Sequence, residues 1–188
     1  MGGGKIIATF CGHSRISQSE EVEKWLYTMT QRLIEQGITT FYLGGYGAFD
    51  SLAASVLRKQ KKRYPQIELV LVLAYLKTRQ DISYYDSTVY PPLEAVPRRF
   101  AIFYRNRWMV ESTDVMVAYV LHDWGGSCHN VAICQAKKET DYFLCRKIGK
   151  TAEATLLKGY YDAHNRCLSV CSKRPHCRLI HPRVFAYE

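Results

Sequence analysis

The sequence predicts an α/β chain, a Rossmann-like open and mainly parallel sheet of about five strands with helices on both faces. Three observations carry this. Short apolar runs alternate with amphipathic helical stretches along most of the chain. The first and third runs, Lys5-Ile6-Ile7-Ala8-Thr9-Phe10 and residues 67–75, are apolar almost throughout, as strands covered on both sides are. Glycine clusters follow the second and fourth runs, where a strand would hand over to a helix.

The first strand ends near Gly12. Ser17-Gln18-Ser19-Glu20 reads as a capping box, after which Val22, Trp25, Leu26, Met29 and Leu33 recur at helical spacing until Gly37 stops the helix. Residues 38–43 form the second strand. Gly44-Gly45-Tyr46-Gly47 then leads into a helix whose apolar face holds Phe49, Leu52, Ala53, Val56 and Leu57 and which ends near Tyr64-Pro65. The third strand covers residues 67–75. Residues 76–97 include Tyr84-Tyr85-Asp86-Ser87-Thr88-Val89-Tyr90-Pro91-Pro92, which has neither helical nor strand period, and a long loop in a compact domain is often functional. A helix over 99–112, a fourth strand over 115–120, a helix opened by Gly125-Gly126 and running to about Lys138, and a fifth strand over 142–145 complete the pattern. Residues 1–149 read as one domain, and residues 150–188 as a helical, then basic and Cys- and His-rich appendage.

Bulk composition bounds the function. With 188 residues, 47% of them hydrophobic, the chain buries one substantial core. No run approaches the roughly 18 apolar residues of a membrane span, so no membrane partner is expected. The start has no long apolar h-region, and a cytoplasmic location is the expectation. Seven cysteines is an odd number, and Cys11, Cys128, Cys134 and Cys145 are scattered through core elements, which reads as reduced thiols rather than a disulfide framework. A net charge of +9 favours anionic partners without choosing among them. The densest basic run, Arg58-Lys59-Gln60-Lys61-Lys62-Arg63, lies late in a helix, where cations suit the dipole; it reads as a solvated face, with a nucleic-acid patch as the alternative. In the tail, Cys167, Cys171, Cys177, His164, His176 and His181 are soft donors, but their spacing matches no recognised finger, and no metal is expected.

The chemistry concentrates at the glycine turns. Ligands of parallel α/β sheets settle outside the carboxyl ends of strands, and both turns belong there. A helix N-terminus offers unpaired N–H groups, and glycine lets a phosphate or carboxylate approach the backbone. Gly44, Gly45, Gly47, Gly125, Gly126 and Ser127 are therefore candidate ligand contacts. Neither turn fits the phosphate-loop or dinucleotide fingerprint, which disfavours an ordinary ATPase or dehydrogenase. His13 either meets the ligand or braces its loop. Asp50 either caps its helix or contacts a ribose. Asn130 either caps or binds. Tyr84, Tyr85 and Tyr90 form a stacking lid over a base or pin their loop to the domain. Glu94, Glu111 and Asp114 lack a spacing diagnostic of acid/base work and read as surface or capping groups.

Gly12-His13, the segment from Tyr42 through Asp50, Val72-Leu73-Ala74-Tyr75, Tyr104-Arg105-Asn106-Arg107-Trp108-Met109 and Trp124-Gly125-Gly126-Ser127 together resemble the SLOG superfamily. These are Rossmann-like nucleotide-binding proteins related to lonely-guy phosphoribohydrolases and Smf DNA-processing proteins, and the similarity, over roughly residues 5–140, is nearest to the bacterial YpsA-like branch. The resemblance implies a nucleotide or nucleotide-derived anion held by both turns, with Arg105 near its phosphate or reacting sugar. Arg105 and Met109 match the lonely-guy arginine and the methionine four residues on, but the catalytic glutamate of that pattern falls on Ala132, which cannot move a proton. The branch has Gly-His-Arg where this chain has Gly12-His13-Ser14-Arg15, displacing the arginine by one position.

The expectation is a domain that binds or senses a nucleotide or nucleotide derivative, such as an ADP-ribose-like molecule, without an evident catalytic acid or base and without a cofactor. Alternatives are a nucleotide N-glycoside hydrolase using Glu111 or Asp114 in place of the missing glutamate, and a DNA-binding protein. The expected partner is an anionic nucleotide-type small molecule, with nucleic acid the lesser alternative and homo-oligomerisation open.

Overall fold

The computed structural model describes residues 5–77, 81–120, 126–127, 129–130 and 141–145. The elements run β1 (Ile7–Gly12), α1 (Ser19–Glu35), β2 (Thr40–Leu43), α2 (Ala48–Lys61), β3 (Glu68–Val72), β4 (Ser87–Val89), a short 3-10 turn (Arg98–Phe100), α3 (Ala101–Glu111), β5 (Val115–Tyr119) and β6 (Asp141–Cys145). All six strands pair in parallel in the order β4-β3-β2-β1-β5-β6. The chain steps outward from β1 to β4, then returns to lay β5 on the other side of β1. That reversal makes the carboxyl ends of β1 and β5 the topological switch point, where a crevice opens between loops that diverge in opposite directions.

Strand alternation divides the core into two layers. Ala8 and Phe10 of β1, Phe41 and Leu43 of β2, and Val115, Val117 and Tyr119 of β5 pack with Val22, Leu26 and Leu33 of α1 and Phe49, Ala53 and Leu57 of α2. Their alternates, Thr9, Cys11, Met116 and Ala118, are also buried, and by the two-residue period they face the opposite side. There α3 buries Ala101, Met109 and Val110, and Trp108 stacks on Tyr42 with centroids 5.9 Å apart. Helices on both faces explain why β1, β3 and β5 are apolar almost throughout.

Three sequence expectations need adjustment. The capping box does not form: α1 starts at Ser19 with Gln18 as its cap, and no side chain bonds the cap position. Glu20 and Glu21 instead favour the first turn through the helix dipole. The expected loop holds a sixth strand, β4, too short to show a period. Asp86 fixes its entry by accepting from Leu69 N–H at 2.8 Å while its own N–H donates to Leu69 C=O at 2.9 Å. Two of that segment's tyrosines make contacts that fit the pinning alternative: Arg58 sits over Tyr84 at 4.8 Å, and Tyr85 packs on the core. Gly37 does end the helix region, at φ 91°. Among the described residues no helix is long and apolar enough to cross a membrane. The helix expected to run to Lys138, Gly125, Ala132 and the appendage lie outside the described residues or reach beyond them.

Candidate functional site

A cleft of about 350 Å³ opens at the switch point. It is lined by the end of β1 with His13 and Ser14, by Gly44, Tyr46, Gly47 and Asp50 after β2, by Arg105, Asn106 and Met109 of α3, and by Gly126, Ser127 and Asn130 after β5. Segments far apart in sequence thus meet in one place, and most of the sequence candidates stand around it. Gly45, between two of these residues, has φ 71°.

The first glycine turn has its shape for two separate reasons. Gly47 has φ 91°, and a Cβ there would lie 3.0 Å from Ser14 Cα; the same approach lets Ala48 N–H donate to Ser14 C=O at 3.0 Å, fastening the β1 loop to the start of α2. Gly44 is needed for space. A Cβ at Gly44 would project to 2.7 Å from Asp50 Oδ2 and 2.8 Å from Arg105 Cζ, so these two charged groups converge on one point of the turn. Gly44→Ala is expected to lower stability by about 1 kcal/mol, overpacking outweighing the entropy gained from losing a glycine. A urea titration showing an unchanged or higher midpoint would contradict the crowding.

Arg105 is the principal group of the site. It is 1% exposed, and its Nη1 donates to Gly44 C=O at 2.5 Å and Val72 C=O at 2.9 Å, tying α3 to the ends of β2 and β3. Its Nε is buried without a partner among the described residues. Burial lowers its basicity and Asp50 opposes that, but a guanidinium stays charged in proteins. The ring of Tyr46 lies 5.3 Å from the guanidinium carbon. Asp50, half-buried, accepts from Tyr46 N–H at 3.2 Å. Burial pushes its carboxyl up to about 6, against the downward pull of Arg105 and the Tyr46 N–H.

The second turn holds the opposite wall. Ser127 Oγ donates to Gly12 C=O at 2.7 Å, and Asn130 Nδ2 lies 3.5 Å from Cys11 Sγ, so both side chains brace the end of β1 while lining the cleft. His13 makes an edge contact with Tyr119, centroids 6.3 Å apart. Phe103 of α3 meets His129, ring centroids 4.9 Å apart.

Other candidates stand elsewhere. Arg15 is exposed and does not line the cleft, so the displaced arginine is not part of this wall. Arg107 pairs with Glu111 at 2.7 Å on the outer side of α3. Asp114 accepts from Ile7 N–H at 2.8 Å, at the amino ends of β1 and β5 and away from the cleft. Neither Glu111 nor Asp114 lines the cleft; Asp50 is the one carboxylate that does among the described residues. Sequence reading missed Tyr46 as more than a turn residue. It also missed the exposed aromatic ledge of Phe100, Phe103 and Tyr104 at the start of α3, each just over 40% exposed. An aromatic cluster on a helix reads as core until its neighbours are known.

No family model matches the chain, and no curated protein matches it. Solved structures do. DNA processing protein A from Helicobacter pylori, described for its single-stranded DNA binding mode, is 15% identical with a TM-score of 0.53, over 90% of this chain and 81% of that one. The same protein from Streptococcus pneumoniae is 13% identical with a TM-score of 0.56, over 93% of this chain and 58% of that one. The Moco carrier protein from Chlamydomonas reinhardtii is 16% identical with a TM-score of 0.51, over 89% and 99%. At these identities the likeness is one of fold, a Rossmann-like α/β sheet.

Proposed function

We propose that the chain is a SLOG-type domain, of the YpsA-like branch, that binds the phosphate-bearing end of a nucleotide or nucleotide derivative in the switch-point cleft. One observation carries this: a 1%-exposed arginine with an unpartnered Nε lines a cleft between two glycine turns, a cost in stability that a bound anion offsets. Binding rather than turnover fits the site, because Ala132 replaces the family's glutamate and neither Glu111 nor Asp114 reaches the cleft. Calorimetry against nucleoside mono- and diphosphates and ADP-ribose is the test. Saturable binding that Arg105→Gln weakens supports the reading; no binding to any of them removes it.

A second reading, single-stranded nucleic acid, rests on the α3 ledge. Arg99 lies over Phe100 at 4.7 Å and Arg98 over Tyr75 at 5.3 Å, beside exposed Phe103 and Tyr104. Interleaved cations and aromatics suit stacked bases and a phosphate backbone. The basic run on α2 contributes less, since Lys59 pairs with Glu23 and Lys61 with Asp86. This reading predicts oligo(dT) binding that weakens steeply with salt and falls at least about fivefold in Phe103→Ala. No retention at low salt eliminates it.

A further inference from the structure

We propose that Asp50 holds one proton jointly with the phosphate that Arg105 binds in the cleft, so that ligand binding takes up a proton. The inference rests on the cleft-binding reading above and adds the protonation state of the complex. Its basis is geometric. Asp50 Oδ2 and the Arg105 guanidinium converge on the same point beside Gly44, both line the cleft, and Arg105 keeps a buried Nε with no partner. Because both groups line the one cleft, a phosphate oxygen that reaches the guanidinium from it has the carboxylate as a neighbour.

Two anions so placed repel, and the least costly remedy is a proton between them. A phosphomonoester has a second pKa of about 6, and the Asp50 carboxyl is pushed up to about 6 in the unliganded protein. Each raises the proton affinity of the other when brought together, as in a carboxylate pair sharing a site. The group that donates then forms a short charge-assisted hydrogen bond to the other, while Arg105 neutralises the remaining charge. The groups facing Asp50 do not remove the need for this proton. Arg105 comes from α3 and the Tyr46 N–H from the turn; Tyr85 approaches from before β4, its hydroxyl held up by burial and by Asp50; His13 lines the cleft from the β1 loop.

The test is calorimetry of the full chain with AMP, in two buffers of different ionisation heat, from about pH 6.5 to about 8.5. The proposal expects uptake approaching one proton and a Kd that rises about tenfold per pH unit above about 7. Asp50→Asn, which supplies its own donor, should bind AMP with no more than about a twofold change over that range. AMP binding with negligible proton uptake, or a pH slope that survives in Asp50→Asn, overturns the shared proton and leaves the cleft reading standing. No AMP binding by either protein at any pH, with none of the wider nucleotide panel binding, overturns both.

Discussion

Arg105→Ala is expected to cost about 3–5 kcal/mol of stability and at least about a hundredfold in nucleotide affinity. The stability loss has two sources. Nη1 ties Gly44 C=O and Val72 C=O together, and each hydrogen bond from a charged donor is worth about 1.5–3 kcal/mol, more when its loss leaves a buried carbonyl unpaired. Truncating a 1%-exposed side chain also opens a cavity. Relief of the orphaned Nε and of the guanidinium's desolvation works in the opposite direction, which holds the total below the sum of the parts. Arg105→Lys keeps the charge but presents a single point donor, and should fall between. Urea midpoints report the first effect, and calorimetry at a temperature where both proteins stay folded reports the second. Unchanged stability would mean that the carbonyl clamp is not kept in solution; unchanged affinity would mean that the anion binds elsewhere.

The fold was largely legible because its signals are local and repeated. Val22, Trp25, Leu26, Met29 and Leu33 mark one face of α1 whatever surrounds it, and all are buried there. The near-continuous apolar runs of β1 and β3 identify strands covered on both sides by composition alone. β4 was not legible, since a three-residue strand at a sheet edge owes its pairing to β3 and to the Asp86 bonds rather than to any period of its own. The site was legible as a set of residues but not as a division of labour. Glycine turns announce a place where backbone comes close to something; they do not say that at Gly44 the something is Asp50 and Arg105. Asp50 showed the same limit. A carboxylate in the first turn of a helix reads as a cap or a ligand contact, and only its position between a buried arginine and a cleft shows that its charge is contested.

Asp50→Asn is expected to make the unliganded protein more stable at neutral and alkaline pH, by about 2 kcal/mol. In the folded chain the carboxyl lies at about 6, above its ordinary value of 3.8. The native state therefore binds this proton more tightly than the unfolded state does. Stability from this group is fully present below about pH 4 and is lost as pH rises through about 6. A rise of that size corresponds to at most about 3 kcal/mol, and solvent reaching the half-buried carboxyl through the cleft reduces it. Asparagine keeps an acceptor for the Tyr46 N–H and carries no charge to desolvate, so the variant escapes the loss. The gap between the two proteins should be small at about pH 4, open between about pH 4 and 6 and stay constant to about pH 8.5, read from urea midpoints. A variant less stable than the parent at about pH 8 would mean that attraction to Arg105 outweighs burial, reversing the sign of the argument. If the gap opens as expected, the native aspartate is held at a cost to folding. The proton taken up when phosphate arrives relieves that cost, so the carboxylate that weakens the empty cleft makes its occupancy depend on pH.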